Sequence, residues 1–191
     1  MQTYTTQRMI HAAAAVAFAA AATAVAIGSP AKAATLGWST VEGCTSAMGS
    51  VSYQPGLTNV ARSETGTLSV TLAGCSSLYS GSTPGTGLLT ASLSGTSSTA
   101  GVSQRGTFTI NWPAGSGLNP SNGTLTLTGP DAAGHYTAGG SITSGAFPGA
   151  SLGTAFVVTA VNPGATGSPA HPVTLQQVTN TAPVQVQRNM G

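Results

Sequence analysis

Charge is what this chain has least of: its 191 residues include five Lys or Arg and three Asp or Glu. Two of the cations, Arg8 and Lys32, sit near the N-terminus. The rest of the chain sets Arg62, Arg105 and Arg188 against Glu42, Glu64 and Asp131, with no lysine at all. A region with balanced charge and no basic stripe has nothing with which to neutralise a phosphate backbone, so nucleic acid is excluded as an expected partner, and stable association with an anionic membrane surface with it. Acid–base chemistry is restricted in the same way. Beyond residue 33 it would have to be drawn from the three carboxylates, His135 and His171. The spacing of Glu42, Glu64 and Asp131 does not suggest a glycosidase pair, and turn-capping is the plainer role for Asp131 after Gly129-Pro130. Serine is abundant, yet no Gly-x-Ser-x-Gly elbow occurs. Gly115-Ser116-Gly117 and Gly140-Ser141-Ile142 are only fragments of one. A triad of Asp131, His135 and Ser144 can be drawn on paper without any sequence feature that requires it.

Cysteine is scarce as well. Cys44 and Cys75 are the only two, and they are expected to form one disulfide that stabilises the fold by about 3 to 4 kcal/mol. Without a nearby histidine or acidic cluster they make a poor metal site, and without lysine they make poor redox-active thiols. No metal and no cofactor are expected. Aromatic residues are few as well: two Trp, four Tyr and four Phe. A planar ring exposed among hydroxyls is a means of stacking on a sugar, which makes Trp38, Tyr79 and Tyr136 the candidate ligand-binding residues. Trp112 belongs to the core by its strand pattern.

What is present begins with Arg8, an uninterrupted small and apolar run from Ala12 to Ile27, and the breaker Gly28-Ser29-Pro30. Ala31 and Ala33 then supply the two small side chains that signal peptidase accepts. Residues 1–33 are therefore expected to be a helical signal peptide, with residues 34–191 as the exported domain. The run is poor in strongly apolar side chains for a bilayer span, and no lipidation cysteine follows it. The expected destination is the extracellular space or a loose association with the cell wall.

The exported region reads as strand. Leu68, Val70 and Leu72 alternate with Thr67, Ser69 and Thr71, and the same pattern returns in Phe108-Thr109-Ile110-Asn111-Trp112 and in Thr124-Leu125-Thr126-Leu127-Thr128. Shorter candidates are 50–53, 88–93, 141–144, 154–161 and 173–178. Ala155-Phe156-Val157-Val158 reads as a strand covered on both faces. Turn signals separate them at Gln54-Pro55-Gly56, Ser82-Thr83-Pro84-Gly85, Pro120-Ser121-Asn122-Gly123, Gly129-Pro130-Asp131 and Asn162-Pro163-Gly164. Asn122-Gly123 reads as a two-residue hairpin turn rather than a glycosylation acceptor. About eight short strands without an amphipathic helix argue for an all-β domain. An antiparallel β-sandwich is preferred and a closed β-barrel is the alternative. Residues 179–191 read as a last edge strand or a frayed tail, and uncharged edges would leave such a sheet open to pairing with a second copy.

Four segments carry a resemblance: Tyr53-Gln54-Pro55-Gly56-Leu57-Thr58-Asn59, Cys75, Gly106-Thr107-Phe108-Thr109-Ile110-Asn111-Trp112, and Gly140-Ser141-Ile142-Thr143-Ser144-Gly145-Ala146-Phe147-Pro148-Gly149. In these the chain resembles a group of small secreted actinobacterial proteins of unknown function, whose members often carry further cysteines. The resemblance covers most of the exported region and implies export and a β fold. Its motifs are turns and core positions, so it implies no activity. The expectation is a non-enzymatic secreted protein that binds a cell-envelope polysaccharide or another extracellular protein. Its rivals are a hydrolase with a minimal Asp131/His135 site and a toxin or inhibitor presenting the loop 78–87.

Overall fold

The computed structural model describes residues 38–77 and 83–189, with Trp38 described through its backbone alone. The expected signal peptide and Tyr79 lie outside these residues. The described chain forms nine strands: β1 (Trp38–Leu57), β2 (Arg62–Ser77), β3 (Gly85–Ser98), β4 (Gly101–Asn111), β5 (Ser121–Gly129), β6 (Tyr136–Ser144), β7 (Ser151–Ala160), β8 (Val173–Asn180) and β9 (Val184–Asn189). Each of the eight strands read from the sequence falls in a different one of the first eight.

The domain is all-β, and the preferred sandwich gives way to the barrel. Each strand from β1 to β8 pairs antiparallel with the next, and β8 pairs back onto β1, so the sheet closes on itself. Alternation along a strand fixes which face is buried. It does not say whether that face meets a second sheet or its own far side. Closure also disposes of the exposed edges expected for a sandwich, because each described strand has a partner on both sides.

The last stave of the barrel is made of two strands laid end to end. β8 pairs with the second half of β1 from Met48↔Thr179, and β9 pairs with the first half through Cys44↔Val184 to Trp38↔Asn189. On the other side β8 and β9 both pair with β7. The expected fraying therefore does not apply to Val184–Asn189. Asn180 holds the break between them: its Oδ1 accepts the Ala47 N–H at 2.8 Å, and its Nδ2 donates to the carbonyls of Thr45 at 3.2 Å and Ala182 at 3.0 Å.

Inside, the rows of side chains alternate in size. One row crosses eight strands as Tyr53, Gly66, Leu93, Gly106, Leu125, Gly140, Leu152 and Val186. It returns to β1 at Glu42, far from its start at Tyr53, which is the stagger that tilted strands require. The glycines bring neighbouring backbones close: a Cβ on Gly106 would strike the Ser92 carbonyl, and one on Gly140 would strike that of Thr124. Leucines from the intervening strands fill the lumen. The next row explains why the Asn122-Gly123 turn reading fails. Gly123 faces inward on β5, with the Phe108 ring 2.8 Å from where its Cβ would be, and the chain reverses earlier, between β4 and β5. Gln54-Pro55-Gly56 likewise belongs to the end of β1. Val157 is exposed, so β7 is not covered on both faces.

What remains inside is an apolar void of about 30 Å³ lined by residues such as Leu68, Leu89, Leu125 and Phe156. An apolar cavity of about 150 Å³ is the size that admits benzene. The lumen is a packed core and not a ligand chamber. Outside, β2 to β6 present hydroxyls in rows, for example Thr67, Ser92, Thr107, Thr124 and Ser141. An apolar interior under a hydroxyl exterior is the inverse of a barrel built to face lipid.

Candidate functional site

Three places on this barrel gather polar groups and are candidates for a site. The first is a groove on the outer face. Two outward rows cross it, Gln54–Thr65–Ser94–Arg105–Thr126 and Ser63–Thr96–Ser103, over a floor to which Glu64, Gly95 and Gln104 contribute. Its volume is about 600 Å³, within the range of small-ligand clefts. Arg105 is exposed here and, among the described residues, its guanidinium makes no ion pair and no hydrogen bond. Beneath the floor the Gln104 amide is buried with both of its polar atoms unpartnered. Nothing in the sequence marks this groove, because its residues come from five strands and share only the outward phase of the alternation.

The second place is the barrel end where β1 begins and β2 finishes. Cys44 and Cys75 stand directly opposite each other and form the expected disulfide. Glu42, one inward step along β1, is fully buried, and a carboxylate oxygen and both sulfurs lie within 4.8 Å of one another. Neither Glu42 oxygen reaches hydrogen-bonding geometry with a donor. Burial pushes its pKa up to about 7, a rise held back by the nearby Ser77 hydroxyl, which itself donates to the Val41 carbonyl at 3.1 Å. Glu42 reaches the cysteines because residues two apart on a strand share a face, so an acid at position 42 stands beside Cys44 without any acidic cluster in the chain.

Trp112 closes the same end as a core residue. Its Nε1–H donates to Ser121 Oγ at 3.1 Å, the Ser121 hydroxyl donates onward to the Ala146 carbonyl at 2.8 Å, and Phe147 packs edge-on at 6.1 Å. Phe147 adopts a φ of 60°, a conformation unfavourable for a side chain of its size, while its ring packs on Trp112.

The third place is the loop between β5 and β6. His135 Nδ1 lies 3.7 Å from Asp131 Oδ2, while Asp131 Oδ1 accepts the N–H groups of Ala133 at 2.8 Å and His135 at 2.9 Å. These backbone donors, that of His135 foremost, hold the Asp131 carboxyl below its usual range. The arrangement is the turn cap that the sequence suggests. Ser144 sits at the opposite end of β6, about 25 Å away along the strand, so the structure does not assemble the triad. The three carboxylates do not converge either. Glu42 and Glu64 occupy opposite ends of the β1–β2 ladder, and Glu64 is held by Arg62 Nε at 2.6 Å and the Gly56 N–H at 2.9 Å.

The aromatic candidates fare unevenly. Tyr136 is buried and stacks on Phe156 with ring centres 5.8 Å apart, so it is not the exposed ring that sugar stacking needs. Trp38 opens β1 opposite Asn189. Tyr79, and with it half of the loop 78–87, falls outside the described residues. No protein family, no curated protein and no solved structure matches this chain. The class defined here is an antiparallel barrel with a filled lumen and a hydroxyl-bearing exterior.

Proposed function

We propose that this protein is exported and acts outside the cell as a non-enzymatic binding protein whose ligand is a cell-envelope polysaccharide. The groove across β1 to β5 carries this reading. Its hydroxyls and the Gln54 amide match the donors and acceptors of a sugar chain, and its one unpaired cation, Arg105, favours a chain that bears carboxylate or phosphate. The packed lumen supports placing the ligand on the outside. A buried disulfide suits an oxidising compartment.

The test is retention of the disulfide-bonded protein on peptidoglycan, on anionic wall polymer, on chitin and on cellulose, with Arg105→Ala and Thr65→Ala/Ser94→Ala variants alongside. Saturable binding to an anionic polymer, weakened tenfold or more by Arg105→Ala, is the expected result. Equal retention of all variants would remove the groove from consideration. Absence of retention on every polymer would turn attention to an extracellular protein as the partner. Hydrolysis of any of these polymers, lost on Asp131→Asn or His135→Ala, would favour the enzymatic rival instead.

A further inference from the structure

The buried carboxyl beside the disulfide belongs to none of this. Burying a carboxyl whose oxygens reach no hydrogen-bonding geometry among the described residues is costly, and nothing about closing the barrel demands an acid at position 42. Its neighbours give it a use. Two sulfurs and a carboxylate oxygen, all within 4.8 Å of one another, are the donor set of a thiophilic cation. A tetrahedral ion with bonds of about 2.3 Å to sulfur and about 2.0 Å to oxygen holds such ligands roughly 3.5 to 3.8 Å apart. The sulfurs would only have to part from bonding distance by side-chain rotation.

We propose that Glu42, Cys44 and Cys75 form a binding site for a thiophilic divalent cation, Zn²⁺ or Cd²⁺, in the form of the protein whose disulfide is reduced. The backbone keeps the ligands together after the S–S bond opens. Cys44 and Cys75 face each other within a continuous β1–β2 ladder, and Glu42 is fixed between Ser77 on one side and Val186 on the other. The unpartnered carboxylate oxygens are the independent sign of a ligand, since a cation supplies the partner they lack. The buried residues Val41 on β1 and Val184 and Val186 on the neighbouring β9 provide the dry surroundings in which such a bond is strong.

The chemistry balances in two steps. A phosphine reductant and one water give the disulfide two electrons and two protons. The S–S bond breaks to two thiols, and the phosphine becomes its oxide. The cation then displaces both thiol protons, and the Glu42 proton where one is held. It forms two bonds to sulfur and one to oxygen, and its fourth position is open to water. Disulfide and metal site are thus alternative states of the same side chains, and binding of the ion protects the thiols from reoxidation.

The experiment titrates the purified full chain with Cd²⁺ after reduction with a phosphine and anaerobic removal of the reductant, reading the thiolate-to-cadmium charge-transfer absorbance. Circular dichroism follows the strands in parallel. The expected result is one equivalent bound by the reduced, folded chain and none by the oxidised chain. Glu42→Gln should lower the affinity at least tenfold in competition with a chelator, Glu42→Asp should restore part of it, and Cys44→Ser should abolish the band. Full affinity in Glu42→Gln would show two thiolates acting alone and overturn the site. No band, or a reduced chain that has lost its strands, would overturn it equally.

Discussion

The two ends of this barrel each bury a glutamate on the β1–β2 pair, and they treat it in opposite ways. At one end Glu64 is enclosed but satisfied: Arg62 Nε lies 2.6 Å from one oxygen, the Gly56 N–H donates to the other at 2.9 Å, and the Arg62 guanidinium donates again to the Gly56 carbonyl at 2.7 Å. At the other end Glu42 is equally enclosed, yet among the described residues neither of its oxygens is in hydrogen-bonding geometry, and the nearby Ser77 hydroxyl donates to the Val41 carbonyl instead. The first arrangement ties the turn after β1 to the start of β2 and reads as structural. The second has no structural return in the oxidised fold, and an arrangement that costs stability without adding to it is where a function is to be sought.

Four changes would break or sharpen this contrast. Replacing both cysteines by serine removes the only cross-link from the Glu42 end and should cost about 4 kcal/mol in chemical denaturation, as expected for the loop of 31 residues it closes. A loss below about 1 kcal/mol would mean that the disulfide is dispensable to the fold and kept for its chemistry. Arg62→Ala strips Glu64 of its charged partner and leaves it only the Gly56 N–H, which narrows the difference between the two ends. A loss of about 3 kcal/mol is expected, and a negligible one would show that Glu64 needs only the Gly56 N–H.

The third test is pH. In the folded chain Glu42 titrates near 7, above its ordinary value of 4.5. The folded state therefore holds a proton that the unfolded chain has already released. Stability is greatest below about pH 4.5 and falls as pH rises through 7, by about 2 kcal/mol once screening at the barrel rim is allowed for. Glu42→Gln should flatten this decline in denaturation midpoints measured from pH 4 to 8. An unchanged decline would assign it to another group. The smallest effect is expected from Ser121→Ala, which deprives the Trp112 N–H and the Ala146 carbonyl of their shared partner and should cost about 1 kcal/mol.

Much of the fold was legible in the chain itself. The period-two runs at Leu68–Leu72, Phe108–Trp112 and Thr124–Thr128 are strands with the inward residues that alternation predicts, because a strand has only two faces and water selects between them. The pairing of the cysteines followed from there being only two. The hairpin misreading has its cause off the local chain. Asn122-Gly123 has the chemistry of a turn, but Phe108 on the neighbouring strand needs a residue without a side chain opposite it, and that demand is invisible along the chain. The candidate site was the least legible part. Gln54, Thr65, Ser94, Arg105 and Thr126 meet only because five strands lie in a particular register.

The sequence by itself determined that this would be a β domain with one disulfide and little charge, since alternation, cysteine count and composition are properties of the chain alone. Only the tertiary structure decided that the sheet closes into a barrel, that its lumen fills with leucine set against glycine, and that Glu42 is buried against the disulfide. Each of these depends on which strands become neighbours and at what stagger. That choice is made by packing among residues far apart in the chain, and no local pattern records it.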